Sequence, residues 1–254
     1  MRTVFITGAS SGIGAACAEV LASEGKYRLL LCARRTDKLQ ELQESIHAKY
    51  PTCAIHHFEL DVRNQEDVAT SLANLPADWK NIDILINNAG LSQGLDLFQD
   101  ADIADWDRMI DTNVKGLLYV TKHSIPLMEQ SEAPHIINLG SIAGKEVYPQ
   151  GNVYCATKHA VDALTKAMRI DLLNKGIKVT SVDPGMVETE FSEVRFKGDK
   201  ERAKNVYNGL TPLSGKDIAE IIAFVLSRPA HVNINDLLVM PTAQASGTIV
   251  RRDN

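Results

Sequence analysis

A tyrosine and a lysine stand four residues apart, at Tyr154 and Lys158, within a segment of helical spacing. Residues four apart share one face of an α-helix and are separated by about 6 Å along its axis. A free phenol has a pKa of about 10 and is a poor acid or base at neutral pH. A nearby ammonium favours the phenolate and lowers that pKa, so the pair is suited to general acid–base chemistry.

A serine, Ser141, ends the segment Asn138-Leu139-Gly140-Ser141. Its hydroxyl could hold a substrate oxygen beside the Tyr154 hydroxyl. Turn chemistry would explain this serine if it stood alone, so the catalytic interpretation depends on Tyr154.

Three glycines, Gly8, Gly12 and Gly14, lie in Thr7-Gly8-Ala9-Ser10-Ser11-Gly12-Ile13-Gly14, between a predicted strand and a predicted helix. The first permits a tight turn, the second lets the backbone approach a pyrophosphate, and the third lets the helix pack closely on the strand. The helix N-terminus offers free N–H groups and a positive dipole to an anion. In this position the pattern favours dinucleotide binding over a purely structural turn.

Short apolar segments alternate with longer helical segments along the chain. Strands are predicted at residues 4–7, 28–33, 54–60, 82–87, 135–139, 178–182 and 237–240. Helices are predicted at residues 12–24, 37–49, 65–75, 106–130, 153–175 and 218–226. The 106–130 helix should bend or end near Pro126, and Gly176 should close the 153–175 helix. The alternation predicts an α/β fold: a single-domain, Rossmann-like, doubly wound parallel sheet of about seven strands with helices on both faces.

The composition narrows the class of protein. The chain has 254 residues, 44% of them hydrophobic and 23% charged, which is typical of a globular protein and excludes a disordered one. The net charge of -5 disfavours nucleic-acid binding. We expect neither a signal peptide nor a membrane helix, because the apolar segments are short. Four cysteines without paired spacing indicate reduced thiols and a cytoplasmic protein, and no spacing indicates a metal site.

Two segments of the predicted single domain, residues 1–254, stand outside the alternation. Residues 188–215 are rich in charge and poor in hydrophobic periodicity, which favours a substrate loop or lid. Residues 241–254 lack helix or strand character, so this C-terminal tail should pack on a neighbouring subunit or be loose.

The ordered set of motifs resembles the short-chain dehydrogenase/reductase family over essentially the whole chain. The resemblance rests on the GxxxGxG turn, Asn87-Asn88-Ala89-Gly90, Asn113, Ser141, Tyr154-x-x-x-Lys158 and Pro184-Gly185-x-Val187-x-Thr189. Each motif is modest alone, but their order is highly specific.

The resemblance implies an oxidoreductase that acts on CH–OH groups, with Asn113, Ser141, Tyr154 and Lys158 as its catalytic residues. Lys158 would also hydrogen-bond the nicotinamide ribose. Asn113 would kink its helix and hold a water that relays protons to the lysine; an exposed helix asparagine is the alternative.

The resemblance also implies a set of cofactor contacts. Asp61 and Val62 would contact the adenine, and Asp61 could also serve as the N-cap of the next helix. The other implied contacts are Gly8, Ser10, Ser11, Gly12, Ile13, Gly14, Asn88, Ala89, Gly90, Tyr154, Lys158, Pro184, Gly185, Val187 and Thr189.

Charge decides the predicted cofactor. NAD-preferring sites place a carboxylate after the second strand, where it accepts a hydrogen bond from the ribose 2′-hydroxyl. This chain has Arg34 and Arg35 there, with no carboxylate before Asp37. Two guanidinium groups suit a 2′-phosphate, so the sequence predicts NADP. A solvated helix start is the alternative.

Three further segments, at residues 151–154, 194–199 and 230–235, resemble the bacterial NADP-dependent 3-hydroxy acid dehydrogenase branch of the family. That branch implies hydride transfer at the 3-hydroxyl or 3-keto carbon of a small hydroxy acid such as serine, allo-threonine or 3-hydroxypropionate. Arg195 would bind the substrate carboxylate beside Ser141 and Tyr154. Alternatively, Arg195 and Lys197 are solvated or hold the cofactor phosphates.

Two other functions stay open at this point: a general NADPH-dependent carbonyl reductase of neutral ketones and aldehydes, and a non-catalytic NADP-binding regulator. The complete set of four implied catalytic residues argues against the regulator. The resemblance also implies a homo-oligomer, expected to be a homotetramer, assembled through the helices predicted at residues 106–130 and 153–175.

Overall fold

A seven-stranded sheet forms the centre of the computed structural model, which describes residues 1–253. Its strands are β1 (Arg2–Thr7), β2 (Tyr27–Ala33), β3 (Ile55–Glu59), β4 (Ile84–Asn87), β5 (His135–Leu139), β6 (Lys178–Pro184) and β9 (Asp236–Val239). The order across the sheet is β3-β2-β1-β4-β5-β6-β9, and every pair is parallel. Two short strands, β7 (Val187–Glu188) and β8 (Leu213–Ser214), pair separately.

Helices flank this sheet. They are α1 (Gly12–Ser23), α2 (Thr36–Lys49), α3 (Gln65–Ala73), α4 (Ile103–Ile110), α5 (Leu117–Met128), α6 (Asn152–Asp171), α7 (Phe191–Arg195), α8 (Lys200–Asn205) and α9 (Gly215–Leu226). A π-helical turn, Asp111–Gly116, joins α4 to α5. Single 3₁₀ turns lie at Ala77–Trp79, Phe98–Asp100, Ile142–Gly144 and Leu173–Lys175.

The sheet is covered on both faces, which explains why its strands are almost continuously apolar. On one face, Leu21, Ile46 and Ile222 come from α1, α2 and α9 and are fully buried. On the other face, Val68 of α3 and Met128 of α5 are equally buried. The predicted fold class is therefore confirmed.

The strand order reverses direction between β1 and β4, which are neighbours in the sheet although two strands separate them in the chain. In open α/β sheets, ligands bind in the crevice outside the carboxyl ends of the strands at such a reversal. The sequence-predicted residues Gly8, Arg34, Asn88, Ser141 and Gly185 each follow the end of a strand within two residues.

The predicted helix at residues 106–130 differs from the structure in its middle. The helical run begins at Ile103 and is interrupted by the π turn at Asp111–Gly116. Pro126 lies inside α5, which ends two residues later at Met128, in line with the predicted end. Apolar periodicity continues across a π turn, so the pattern alone does not reveal it.

The two segments outside the alternation are also more ordered than expected. Residues 188–215 contain α7 and α8, of five and six residues, which are too short to produce a clear period. In the tail, the Gln244 side chain accepts a hydrogen bond from the Met186 N–H at 2.8 Å, and the Asp253 N–H bonds the Gly209 carbonyl at 2.7 Å. Residues 241–253 are therefore not loose, because they bond to their own chain, and packing of the tail on a neighbouring subunit stays a prediction; Asn254 lies outside the described residues.

Candidate active site

A cavity of about 540 Å³ lies at the carboxyl ends of the central strands. Its volume falls in the range of cofactor and small-molecule sites, about 300–1,000 Å³. The structure brings almost all sequence-predicted site residues into its walls; only Gly14 and Asn113 lie behind them. The wall residues predicted from sequence are Gly8, Ser10, Ser11, Gly12, Ile13, Arg34, Arg35, Asp61, Val62, Asn88, Ala89, Gly90, Ser141, Tyr154, Lys158, Pro184, Gly185, Val187, Thr189 and Arg195.

The glycine-rich turn between β1 and α1 needs its glycines for space and for conformation. Gly8 and Gly12 have φ values of 65° and 57°, in the left-handed region that glycine adopts without strain. A Cβ added to Gly14 would lie 2.5 Å from the Gly8 carbonyl oxygen. Glycine at position 14 therefore allows α1 to start directly against the turn.

The turn leaves room and donors for an anion. Ser11 precedes α1 without capping it through its side chain, so the N–H groups of the first helical turn stay available. On the opposite side, a Cβ added to Gly12 would lie 3.3 Å from Thr189 Cβ. Thr189 therefore packs against the turn, and the free backbone N–H groups at the start of α1 suit the pyrophosphate of a dinucleotide.

Asn88 ties this turn to the end of β4. Its side chain donates hydrogen bonds to the Thr7 and Gly8 carbonyls at 2.8 and 3.0 Å. The Thr7 hydroxyl in turn accepts from the Asn88 and Ala89 N–H groups. Asn88 therefore lines the cavity and also holds its floor.

The two arginines after β2 stand at the far end of the cavity. Arg35 donates to the hydroxyls of Ser11 and Ser10, at 2.9 and 3.3 Å, and to the Glu190 carboxylate at 2.8 Å. The arginine side chain is half exposed, but its guanidinium bridges two segments and is not simply a solvated helix start. Sequence reasoning missed Glu190, because this carboxylate arrives from a distant part of the chain.

Asp61 faces the same end of the cavity, after β3. It accepts a bidentate hydrogen bond from Arg63, which holds the pKa of the Asp61 carboxyl below its ordinary value. The alternative role of Asp61 as an N-cap is wrong, because Asn64 caps α3 by accepting from the Glu66 and Asp67 N–H groups.

Tyr154, Lys158 and Ser141 meet at the centre of the cavity, and each is less than 10% exposed, at 8%, 8% and 9%. The first two share the inner face of α6, one turn apart, and Ser141 follows β5. The Lys158 ammonium donates to the Leu139 carbonyl at 2.7 Å. The Ser141 hydroxyl accepts from the Ala143 N–H at 3.1 Å. This arrangement can offer a phenol and a serine hydroxyl to one substrate oxygen.

Burial controls the acidity of Tyr154. Desolvation raises the pKa of its phenol above the ordinary value, the Tyr148 hydroxyl adds to the rise, and Arg195 and Ser141 act against it. The expectation that Lys158 lowers this pKa is wrong for the structure, because the ammonium is engaged with Leu139 and desolvation dominates. Tyr154 is therefore held as the neutral, proton-donating phenol.

Burial acts on Lys158 as well. It lowers the pKa of the ammonium to about 8, against the opposing influence of Asp183. A group with this pKa loses its positive charge just above neutral pH, within the working range of an enzyme.

Asn113 lies inside the π turn and is 2% exposed, so the alternative of an exposed helix asparagine is wrong. Its side chain accepts from the Leu91 N–H and donates to the Leu91 carbonyl, both at 2.8 Å. It also donates to the Thr157 hydroxyl of α6 at 3.0 Å. Asn113 thus fixes the loop after β4 against the helix that carries Tyr154 and Lys158.

Arg195, at the end of α7, reaches the centre of the cavity. It donates to the Ser92 hydroxyl at 3.0 Å and to the Tyr148 hydroxyl at 2.5 Å, and its guanidinium lies 5.3 Å from the centre of the Tyr154 ring. The solvated alternative is therefore wrong for Arg195. Lys197 instead pairs with Asp105 at 2.8 Å, outside the cavity.

Three residues near the centre carried no motif in the sequence: Tyr148, Asp183 and Gln244. Tyr148 and Gln244 lie in loops with no periodicity and line the cavity. Asp183 is 1% exposed at the end of β6, where burial raises the pKa of its carboxyl, and a Cβ added to Gly140 would collide with it. The available signal for Asp183 was a carboxylate directly after the strand predicted at residues 178–182.

Two kinds of feature are absent within residues 1–253. The structure has no helix there that could cross a membrane. Nor does it have, in that same range, a group of three acidic, histidine or cysteine side chains placed to hold a metal ion.

Comparisons with known proteins agree with this geometry. Residues 2–200 match the family model for short chain dehydrogenase. An NADP-dependent 3-hydroxy acid dehydrogenase of Schizosaccharomyces pombe is 43% identical over 99% of this chain and 96% of its own. A sulfoacetaldehyde reductase 2 of Chromohalobacter salexigens is 44% identical over 98% of both chains. The closed form of a serine dehydrogenase complexed with NADP⁺ superimposes with a TM-score of 0.92, at 40% identity over all of both chains.

Proposed function

Since this chain belongs to the short chain dehydrogenase family and is an oxidoreductase, we propose that it transfers hydride between NADP and the 3-position of a small hydroxy acid. The proposed substrates are serine, allo-threonine, 3-hydroxypropionate and the matching 3-oxo acids. The observation that carries the proposal is the Arg195 guanidinium 5.3 Å from the Tyr154 ring, a cation beside the candidate acid–base group. The names of two relatives, a 3-hydroxy acid dehydrogenase and a serine dehydrogenase, support it.

The cofactor would lie along the carboxyl ends of β1, β2 and β4. The N–H groups of Gly12, Ile13 and Gly14 would face its pyrophosphate, and Arg34 and Arg35 its 2′-phosphate. When bound, NADP supplies the position that accepts or gives the hydride. The remaining proposed contacts are Gly8, Ser10, Ser11, Asp61, Val62, Asn88, Ala89, Gly90, Tyr154, Lys158, Pro184, Gly185, Val187 and Thr189.

Tyr154 moves the proton. In the reductive direction its neutral phenol donates a proton to the substrate oxygen and becomes a phenolate, and in the oxidative direction that phenolate form accepts the hydroxyl proton as the C–H hydride leaves. The Ser141 hydroxyl holds the same oxygen and stabilises the charge that develops on it. Lys158, held by the Leu139 carbonyl, would orient the ribose through its remaining N–H donors, while Asn113 holds α6 in position.

Arg195 orients the substrate carboxylate. A guanidinium has five N–H donors, and Ser92 and Tyr148 take one donor each, so the others can form a two-point contact with a carboxylate. Ser141 and Tyr154 would then hold the 3-oxygen at the other end of the substrate. Two fixed ends leave the 3-carbon as the position presented for hydride transfer.

A sulfonated aldehyde is the second candidate substrate. The free donors of Arg195 suit a sulfonate as well as a carboxylate, and one relative is a sulfoacetaldehyde reductase. The guanidinium at the cavity centre disfavours a general reductase of neutral carbonyls. The complete set of Asn113, Ser141, Tyr154 and Lys158 disfavours a non-catalytic regulator.

A substrate panel tests this function. With NADP we expect kcat/KM for 3-hydroxy acids to exceed that for neutral alcohols of equal length by about 100-fold or more, because only the acids pair with Arg195. NADPH fluorescence follows turnover, and a parallel series with NAD should give weaker cofactor binding. Equal rates with neutral alcohols would instead support a general carbonyl reductase. Preference for sulfoacetaldehyde would support the second candidate, and cofactor binding without any turnover would support the regulator.

The pH dependence of reduction should follow Lys158. Its ammonium, with a pKa lowered to about 8, is charged below that pH and neutral above it. We therefore expect kcat/KM for reduction to be level at neutral pH and to fall above about pH 8 with the slope of one proton, because this quantity reports groups of the free enzyme. A pH profile measures the fall.

Two variants test whether Lys158 is the group that loses the proton in this pH profile. Lys158→Arg keeps its charge at alkaline pH, so the fall should move to higher pH in whatever activity remains. Lys166→Arg, at an exposed position of the same helix, should leave the profile unchanged. A fall near pH 8 that persists in Lys158→Arg would assign the proton to another group.

The organisation of the protein is part of the proposal. Residues 1–254 would act as one domain, with residues 188–215 as a substrate lid and residues 241–254 as a tail that supports it. A homotetramer is supported by exposed apolar side chains on α4, α5 and α6, namely Ile103, Ile110, Leu118 and Ile170. Four free, buried cysteines support a cytoplasmic protein.

A further inference from the structure

A carboxylate from the proposed lid lies on the donors assigned to the 2′-phosphate. Glu190 Oε2 is 2.8 Å from the Arg35 guanidinium, which also contacts Ser11 Oγ at 2.9 Å and Ser10 Oγ at 3.3 Å. Partial burial raises the pKa of Glu190, but Arg35, Ser11 and Lys38 together hold it below its ordinary value. The carboxylate is therefore charged at neutral pH.

Glu190 reaches this position because the chain crosses the cavity immediately before it. Thr189, its neighbour, packs on the glycine-rich turn: a Cβ added to Gly12 would meet the Thr189 side chain at 3.3 Å. Just upstream, Val187 and Glu188 pair with β8 and fix the direction of the crossing. The Glu190–Arg35 ion pair thus joins the lid to the adenosine end of the cavity.

The N–H donors of Arg35 cannot fully bind the Glu190 carboxylate and a 2′-phosphate at the same time. A 2′-phosphate carries up to two negative charges and three strong acceptor oxygens, so it is the better ligand of Arg35. A dinucleotide without that phosphate brings no anion to Arg35 and therefore leaves the Glu190–Arg35 ion pair in place. The ion pair is half exposed on both sides, so its strength is modest.

We propose that Glu190 is an internal competitor for the 2′-phosphate site: it occupies Arg35 in the free protein, is displaced by NADP and promotes release of the phosphorylated cofactor. This inference rests on the proposed function, because it takes NADP as the cofactor. Glu190 is then a determinant of cofactor specificity that acts through Arg35. It lowers the advantage of NADP over NAD below what two arginines alone would give.

The consequence is kinetic as well as thermodynamic. Product release or lid opening, rather than the chemical step, limits the turnover of many enzymes. The Glu190 carboxylate can pair with Arg35 as the 2′-phosphate leaves. The guanidinium is therefore not left without an anionic partner during release. Removing Glu190 should therefore slow release of NADPH and leave release of NADH unchanged.

The experiment compares Glu190→Gln with wild type in fluorescence titrations of NADPH and NADH on the full chain. We expect Glu190→Gln to bind NADPH about two- to fivefold more tightly, the effect of one exposed ion pair, with a matching decrease in the release rate measured by stopped flow. NADH affinity should stay within experimental error. Glu193→Gln, the same substitution three residues further along the lid and off Arg35, should change neither cofactor.

A double-mutant cycle with Arg35 identifies the route of the effect. In an Arg35→Gln background, the added Glu190→Gln change should no longer tighten NADPH binding, because the shared partner is gone. Unchanged or weaker NADPH binding in Glu190→Gln, or equal tightening for NADH, would overturn the inference while the wild-type preference for NADPH still supported the proposed cofactor. A wild type that binds NADPH no better than NADH would overturn both.

Discussion

Replacing Tyr154 with phenylalanine is expected to lower kcat by about 10²- to 10⁴-fold, the contribution of a positioned general acid–base group. The phenol is 8% exposed, and burial keeps it in the proton-donating form. The substitution removes only the hydroxyl: the ring stays against Phe191, at 5.7 Å between centres, and beside Arg195. Steady-state rates in both directions measure the loss.

Cofactor binding is the internal control for this variant. NADPH affinity should stay within about threefold of wild type, because the ring still fills its place and the glycine-rich turn is untouched. Tyr50→Phe, a change of the same kind at the end of α2, should leave turnover unchanged. If Tyr154→Phe retained most of its turnover, the proton would have to come from another group, and the assigned mechanism would fail.

Replacing Arg195 with alanine is expected to separate charged from neutral substrates. Truncating one partner of a largely desolvated charge pair costs about 2–4 kcal/mol, so kcat/KM for 3-hydroxy acids should fall by about 30- to 1,000-fold. Neutral alcohols should lose less than about tenfold, through the influence that Arg195 has on the pKa of Tyr154. The measurement is kcat/KM for a matched acid and alcohol.

Two further lid variants make this result specific. Arg195→Lys keeps the charge, but its three N–H donors cannot reach Ser92 and Tyr148 and also form a two-point contact with a carboxylate, so it should recover only part of the acid activity. Lys197→Ala breaks the pair with Asp105 outside the cavity and should leave the ratio of acid to alcohol unchanged. An equal loss for both substrates in Arg195→Ala would mean that Arg195 acts through Tyr154 and not on the substrate carboxylate.

The sheet could be predicted from sequence because its strands are buried on both faces and therefore have a simple apolar signature. β2, for example, was expected at residues 28–33 and is found at Tyr27–Ala33. The resemblance implied a kink at Asn113, but periodicity did not reveal its form, a π turn in which Asn113 contacts Leu91 and Thr157 from distant parts of the chain. Helices α7 and α8, within residues 188–215, were not predicted for a different reason: at five and six residues they are too short to show a hydrophobic period.

The residues of the candidate site also fall into two groups, one placed by local structure and one placed by tertiary packing. Residues that follow a strand end, such as Ser141, or share a helix face, such as Tyr154 and Lys158, are placed by local structure, and the sequence alone indicates their proximity. Glu190 and Tyr148 reach the cavity through loops whose paths depend on tertiary packing. The upward direction of the Tyr154 pKa shift could not be predicted from the sequence either, because burial, its main cause, is a property of the folded chain.

The contact between Gly140 and Asp183 limits how this protein can change over evolutionary time. No side chain can be added at position 140 while the carboxylate stays in place, since the first carbon atom would occupy the same volume. Mutational drift at the two positions is therefore coupled, and a descendant gains a residue larger than glycine at 140 only after 183 has become smaller. An attempt to graft β5 of a related protein onto this scaffold would have to bring the matching end of β6 with it.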